Sequence, residues 1–224
     1  MTLHTATATA TAAAPLHAWI ERVQRWRFGV EDAWFEWRHG LELARPVPHA
    51  ALVTSHQQAL QHATSYQGVW SHNVRLLVAQ ALQANPQLRH FVDLGSGKGK
   101  ACFHASLLHR FDSVVGVEFS EPLVAVAQRN LERFGAVRGH RGLQFLAGDA
   151  AAHTLPEGAT LVFLFNPFDG AVLDRFLAHN SGHFQRHPSL VAYANDVHRR
   201  VLQQRGFETV FRDPGRKVSL LQPA

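Results

Sequence analysis

Cysteine is almost missing from this chain. Cys102 is the only one among 224 residues, which excludes an internal disulfide framework, offers no redox or metal-binding pair, and suits a reducing, cytoplasmic compartment. Lysine is nearly as scarce: Lys98, Lys100 and Lys217 are the whole set, so the formal charge of +5 rests on arginine. The arginines are scattered, which reads as a general surface bias rather than the basic block of a nucleic-acid track. No apolar run is long enough to span a bilayer, so no membrane partner is expected. Residues 2 to 14 are almost wholly Thr and Ala and lack the basic start and apolar stretch of a secretory signal. Histidine is plentiful, yet no His-Glu-x-x-His or Cys/His cluster occurs, and no metal site is expected.

What is present divides into three parts: a disordered tail over 1–14, a helical extension over 15–84, and a core over 85–224. From Pro15 to about Leu43, Trp19, Val23, Trp26, Val30, Trp34, Trp37 and Leu41 recur at steps of three and four, the period of one helix face. Gly29 is expected to break this stretch into two helices, and the aromatic stripe to pack over the core. Pro46 and Pro48 begin a linker. A second helical pattern, from about Val69 to Ala84, stops at Asn85-Pro86, where proline cannot continue it.

Short apolar runs and helical patterns then alternate. Strands are expected at Phe91 to Leu94, Ser113 to Glu118, Leu143 to Ala147, Thr160 to Phe165 and Leu190 to Ala194, and a closing hairpin at Phe207 to Arg212 and Lys217 to Leu221. Helices are expected at Gly99 to His109, Pro122 to Phe134 with Ser120 as N-cap, Gly170 to His179, and after Asp196. The order implies an open, seven-stranded, mostly parallel α/β sheet with ligands at its carboxyl edge.

The strand Phe91-Val-Asp-Leu runs into Gly95-Ser-Gly-Lys-Gly99. Three glycines allow a tight turn and a close ligand, and the following helix start offers unpaired N–H groups, so a nucleotide-like ligand is implied. A phosphate-binding loop of the Gly-x-x-x-x-Gly-Lys-Ser/Thr type does not fit, because Gly99 follows Lys98. A dinucleotide fingerprint does not fit either, because the third glycine comes one residue early. Lys98 is expected at the surface.

With Asp93 ahead of it, this loop resembles the first motif of the class I S-adenosylmethionine-dependent methyltransferases, over residues 66 to 222 or so. The Phe-Val-Asp-Leu-Gly-Ser-Gly-Lys-Gly string is similar to that of lysine methyltransferases outside the SET fold and of their small bacterial relatives. The resemblance implies a Rossmann-like methyltransferase sheet and S-adenosyl-L-methionine as cofactor, held by Asp93, Gly95, Ser96, Gly97 and Gly99. It also implies that Glu118 accepts from the ribose hydroxyls, that Asp149 with Ala150 reads the adenine, and that Tyr66 sits near the donor's amino-acid end, with Trp70 and Ser71 close by.

Asn166-Pro-Phe168, at the end of the fourth strand, looks like a shortened relative of the Asn-Pro-Pro-aromatic motif of amino-group methyltransferases. It implies that Asn166 contacts the cofactor, the nucleophile, or both. Asp169, Tyr193 and Asn195 are candidates for handling the acceptor's proton. The expected reaction is methyl transfer to a nitrogen or oxygen nucleophile, with a protein side chain or a small molecule favoured over a nucleic-acid amino group. A binding module without catalysis remains the non-enzymatic alternative.

Overall fold

Apolar runs bounded by glycine, asparagine and proline become strands, and their alternating side chains divide between two cores. The computed structural model describes residues 13–44, 68–138 and 142–224. Tyr66, Pro46, Pro48 and all but the last two residues of the Thr/Ala tail lie outside these. In chain order the elements are α1 (Ala13–His39), α2 (Ser71–Ala84), β1 (His90–Leu94), α3 (Lys100–Leu108), β2 (Ser113–Glu118), α4 (Glu121–Arg138), β3 (Leu143–Ala147) and a 3-10 turn (Ala150–Ala152). There follow β4 (Thr160–Phe165), α5 (Gly170–His179), α6 (Ser181–Arg186), β5 (Leu190–Ala194), α7 (Arg199–Gln204), β6 (Phe207–Asp213) and β7 (Val218–Pro223).

The sheet order is β3-β2-β1-β4-β5-β7-β6. Strands β1 to β5 run parallel, and β7 pairs antiparallel with both β5 and β6. The register slips by one residue between Thr209 and Phe211, a bulge in the edge strand β6. Phe91, Phe163, Ala192 and Leu220 face α1 to α4, whereas Val92, Leu94, Val162, Leu164 and Tyr193 face α5 to α7. Both faces are covered, which is why these strands read as continuous apolar runs. Chain order reverses direction between β1 and β4, so the loops after these two strands open side by side at the carboxyl edge.

The N-terminal helix departs from expectation in two ways. It is unbroken through Gly29, where an added Cβ would meet nothing within 4 Å; one glycine costs a helix only about 1 kcal/mol. Its tryptophan stripe also faces solvent: Trp19, Trp26, Trp34 and Trp37 are all more than half exposed. The face turned to the core carries Asp32, Phe35 and His39 instead. Phe35 stacks on His104 with ring centroids 3.8 Å apart, and His39 lies against Phe134 at 5.2 Å. Leu41 and Leu43, just past the helix, are buried in the same cluster.

The Ser120 position at the start of α4 is as expected, but its hydroxyl is buried and makes no hydrogen bond among the described residues. Its N–H donates to Glu118 Oε1 at 2.9 Å. The short helix α6 was not anticipated. No helix among the described residues is long and apolar enough to cross a membrane.

Candidate functional site

Four strand ends meet at the switch between β1 and β4. Gly95, Gly97 and Gly99 all have positive φ, at 74°, 54° and 89°. The Gly95 and Ser96 N–H groups donate to the Val117 carbonyl at 2.8 and 3.1 Å, which ties the glycine loop to the end of β2. Glu118 completes that tie. Its Oε2 accepts from the Gly97 N–H at 2.9 Å, and its backbone carbonyl accepts from the Gly148 N–H at 2.9 Å, beside Asp149. One residue thus joins the ends of β1, β2 and β3.

The β4 end is joined through sterics. A Cβ on Gly95 would lie 2.1 Å from Pro167 Cβ, so the absence of a side chain there lets the two loops touch. The preceding residue, Asn166, has φ 45°, a left-handed conformation that few non-glycine residues adopt. Asn195, at the end of β5, shares it with φ 54°. Such backbone outliers persist where surrounding structure dictates them and concentrate at functional sites.

Asp93 sits beneath the loop, buried, and together with Gly68, Val69, Gly95, Ser96, Lys100 and Phe165 lines a small cavity. Burial, reinforced by Glu118, pushes its carboxyl up to about 8, against a smaller opposing effect of the Cys102 thiol 3.8 Å away. Burial raises Glu118 as well, opposed by the backbone N–H groups that it accepts. The Cys102 thiol is pushed well up by burial and by Asp93, so this cysteine is a packing residue. The Ser96 hydroxyl is buried and has no hydrogen-bond partner among the described residues.

The remaining expected site residues fall as follows. Asp149 Oδ1 accepts from the Ala151 N–H at 2.9 Å and caps the 3-10 turn that begins with the buried Ala150. Asp169 Oδ1 caps α5, accepting from Ala171 and Val172 at 3.0 and 3.1 Å. Tyr193 lies in the core on the α5 to α7 side, its hydroxyl 3.4 Å from the His198 N–H that it accepts. Burial pushes that phenol up to about 12, so it is a neutral group at physiological pH and not a base. Ser71 is fully buried, and Trp70, a little over a third exposed, lies against Phe28. Tyr66 lies outside the described residues.

Lys98 corrects an expectation. It is 2% exposed and pairs with Glu42 Oε1 at 3.2 Å rather than facing solvent. Lys100 is likewise buried and pairs with Asp32 at 2.7 Å. The same Asp32 accepts from the N–H of Ser71 at 3.1 Å and from its hydroxyl, while His104 Nε2 meets that hydroxyl at 2.7 Å. Burial, then Lys100, holds His104 down to about 3, so it is neutral. Asn130 accepts from the Glu42 N–H at 2.9 Å. These groups anchor α1 and the segment behind it to the glycine loop. The signal was present in the sequence, since two of only three lysines flank Gly99 and a buried lysine demands an acid.

Comparison with known proteins follows the same outline. Residues 54–154 match the family described as Histone methylation protein DOT1, a stretch that includes the glycine loop, Glu118 and Asp149 and stops short of Asn166. Over 67 residues the chain is 39% identical to the release factor glutamine methyltransferase of Geobacter sulfurreducens, a span of 29% of this chain and 23% of that protein. The match therefore covers less than a quarter of that curated relative. Among solved structures, magnesium protoporphyrin IX methyltransferase of Synechocystis PCC 6803 aligns over 69% of this chain and 79% of its own, at 16% identity and a TM-score of 0.50. A putative RNA methyltransferase from Pyrococcus horikoshii aligns over 70% and 85%, at 18% identity and a TM-score of 0.50. At such identities the likeness is one of fold.

Proposed function

We propose that this chain, which has the class I S-adenosylmethionine-dependent methyltransferase fold, transfers a methyl group to a nitrogen or oxygen nucleophile, with a protein or peptide nitrogen as the favoured acceptor. The observation that carries the reading is the left-handed Asn166 at the end of β4, held beside the glycine loop by the contact of Pro167 with Gly95. We place the enzyme in the cytoplasm, with residues 85–224 as the transfer core and residues 15–84 as a cover on its acceptor side.

S-adenosylmethionine fits the residues present. The buried Ser96 hydroxyl has no hydrogen-bond partner among the described residues and needs one, and it lines the cavity beside Asp93, while the positive φ of Gly95, Gly97 and Gly99 sets the tight turn of the loop above it. Bound there, the cofactor supplies a methyl group on an activated sulfonium. Asp93 and the loop from Gly95 to Gly99 would hold its charged end, with Glu118, Asp149 and Ala150 around the nucleoside. Asp169 and Tyr193 have structural employment, so Asn166 alone is assigned to the acceptor. Its carboxamide orients the nucleophile, and positioning contributes most of the acceleration. The acceptor therefore enters as a neutral group and loses its proton to water.

Asn166→Ala is expected to slow transfer by about a hundredfold, the scale of a lost positioning contact, with donor affinity retained. The assay incubates the chain with labelled donor and separate protein, nucleic-acid and small-molecule fractions of host extract. Label confined to nuclease-sensitive material would overturn the favoured acceptor.

Donor binding is also expected to release a proton near pH 7. Free Asp93 is protonated there because its carboxyl lies at about 8, and a cationic ligand favours the ionised form. Affinity should rise by up to about tenfold per pH unit below that value and level off above it. Calorimetric titration in phosphate and in Tris checks this: the heats should differ for the parent chain and agree for Asp93→Asn. Identical heats for the parent chain would refute the linkage.

A further inference from the structure

Trp26 and Trp34, two of the tryptophans exposed on α1, border a groove of about 570 Å³ between that helix, the start of α2 and the β6–β7 turn. Trp26, Phe28 and Trp34 form its apolar wall. Arg27, Arg75 and Arg216 supply charge, and Glu31 is the one carboxylate among the described lining residues. His72 stacks on Phe28 with centroids 4.8 Å apart. Burial lowers the pKa of His72 first, and Arg216, Arg75 and Arg27 lower it further while Glu31 opposes them, which marks a positive field in the groove.

The segment from Gly68 to Arg75 lines both this groove and the cavity of the proposed transfer site. Gly68 and Val69 line the cavity under the glycine loop, and His72, three residues after Val69, lines the groove. Glu31 lines the groove, while its neighbour Asp32 holds Lys100, which lines the cavity. The β6–β7 turn belongs to the same edge, because Val218 at its exit pairs with Ala194 at the end of β5.

We propose that the groove binds an acidic stretch of the acceptor polypeptide, one that carries a large apolar side chain beside its carboxylates. Arg27 meets a carboxylate in bidentate fashion, Arg75 and Arg216, which share Glu31 and Asp213, add to the positive field, and the indoles of Trp26 and Trp34 cover the apolar side chain. Beyond the groove the aromatic face continues from Trp19 to Trp37, a run of about 27 Å at the helical rise, which is longer than a small molecule and suits an extended chain. A nucleic-acid strand is the poorer match. The cations converge on one spot rather than following a phosphate track. The inference rests on the proposed methyl transfer and names the substrate class of that same site.

Fluorescence anisotropy with the full chain tests it. The probes are a labelled peptide of alternating glutamate and phenylalanine, its glutamine counterpart, a single-stranded oligouridine, and phosphatidylglycerol vesicles. The acidic peptide should bind best and weaken with salt. Arg27→Glu, and separately Trp26→Ala with Trp34→Ala, should each weaken it by about tenfold or more, as for anchor residues. These side chains are exposed, so the fold should survive, and calorimetric donor affinity should stay unchanged. Equal binding of the glutamine peptide, tighter binding of oligouridine or vesicles, or unaltered binding by the variants would overturn the proposal. Absence of donor binding to the parent chain would instead remove the methyltransferase reading beneath it.

Discussion

Asp32→Ala is expected to lower the stability of the fold by about 3 to 5 kcal/mol, the cost of removing one partner from a buried ion pair. Lys100 and Asp32 lie 2.7 Å apart, with side chains only 5% and 13% exposed. Alanine leaves the ammonium of Lys100 in the interior without its counter-charge. It also strips the Ser71 N–H of its acceptor at the first turn of α2. For a chain of this length each kcal/mol shifts the melting temperature by about 2–4 °C, so a fall of roughly 6 to 20 °C is expected by calorimetry. The double variant Asp32→Leu with Lys100→Met removes both charges and should recover most of the loss. A change under about 1 kcal/mol in urea unfolding, the range of an exposed pair, would show that the pair is solvated and that α1 is held by its apolar contacts alone.

Gly95→Ala is expected to abolish methyl transfer, with a fall of at least about a hundredfold, and to weaken donor binding. Two costs coincide at this residue. Its φ of 74° belongs to the left-handed region, where an L side chain costs about 1–2 kcal/mol. The added methyl would also sit 2.1 Å from Pro167 Cβ and 2.9 Å from Cγ, so one loop has to retreat. If the β4 loop moves, Asn166 moves with it. Gly135→Ala supplies the control, since a Cβ there, inside α4, meets nothing within 4 Å. That variant should gain roughly 0.5–1 kcal/mol and keep full activity. Equal activity in the two variants would separate Gly95 from the site.

The strands were legible because a parallel sheet covered on both faces needs unbroken apolar runs. β2, β3, β4 and β5 have the bounds that their sequences suggest, and the last three each end in the residue before a glycine or an asparagine. The convergence of the glycine loop with Glu118, Asp149 and Asn166 follows from the same order, since each residue lies at a carboxyl strand end. Helix α1 was legible as a helix but not in its orientation. Periodicity shows that a face exists, whereas the face that packs is chosen by partners distant in sequence. The inward face is selected by Lys100, Ser71 and His104, which satisfy Asp32 and stack on Phe35. The tryptophans have no such partners among the described residues. Lys98 was misplaced for the same reason, because its acid, Glu42, stands 56 residues earlier. The roles of Asp169 and Tyr193 turned on local hydrogen bonds, from two N–H groups at a helix start and from the His198 N–H, which no spacing rule foretells.

The slipped register in β6 makes the two margins of the sheet unequal. At that side the outermost strand bends at its bulge, Glu208 and Arg212 project into water, and Arg212 reaches back to Asp196 at 3.1 Å. An eighth strand added there would have to straighten the bend and desolvate charge, the device by which natural sheets avoid fibrillar growth. The opposite margin, β3, pairs with β2 over five residues without a slip and exposes Leu146. Any polymerisation of this chain by strand addition should therefore start from β3, and a lysine in place of Leu146 is the substitution that would block it.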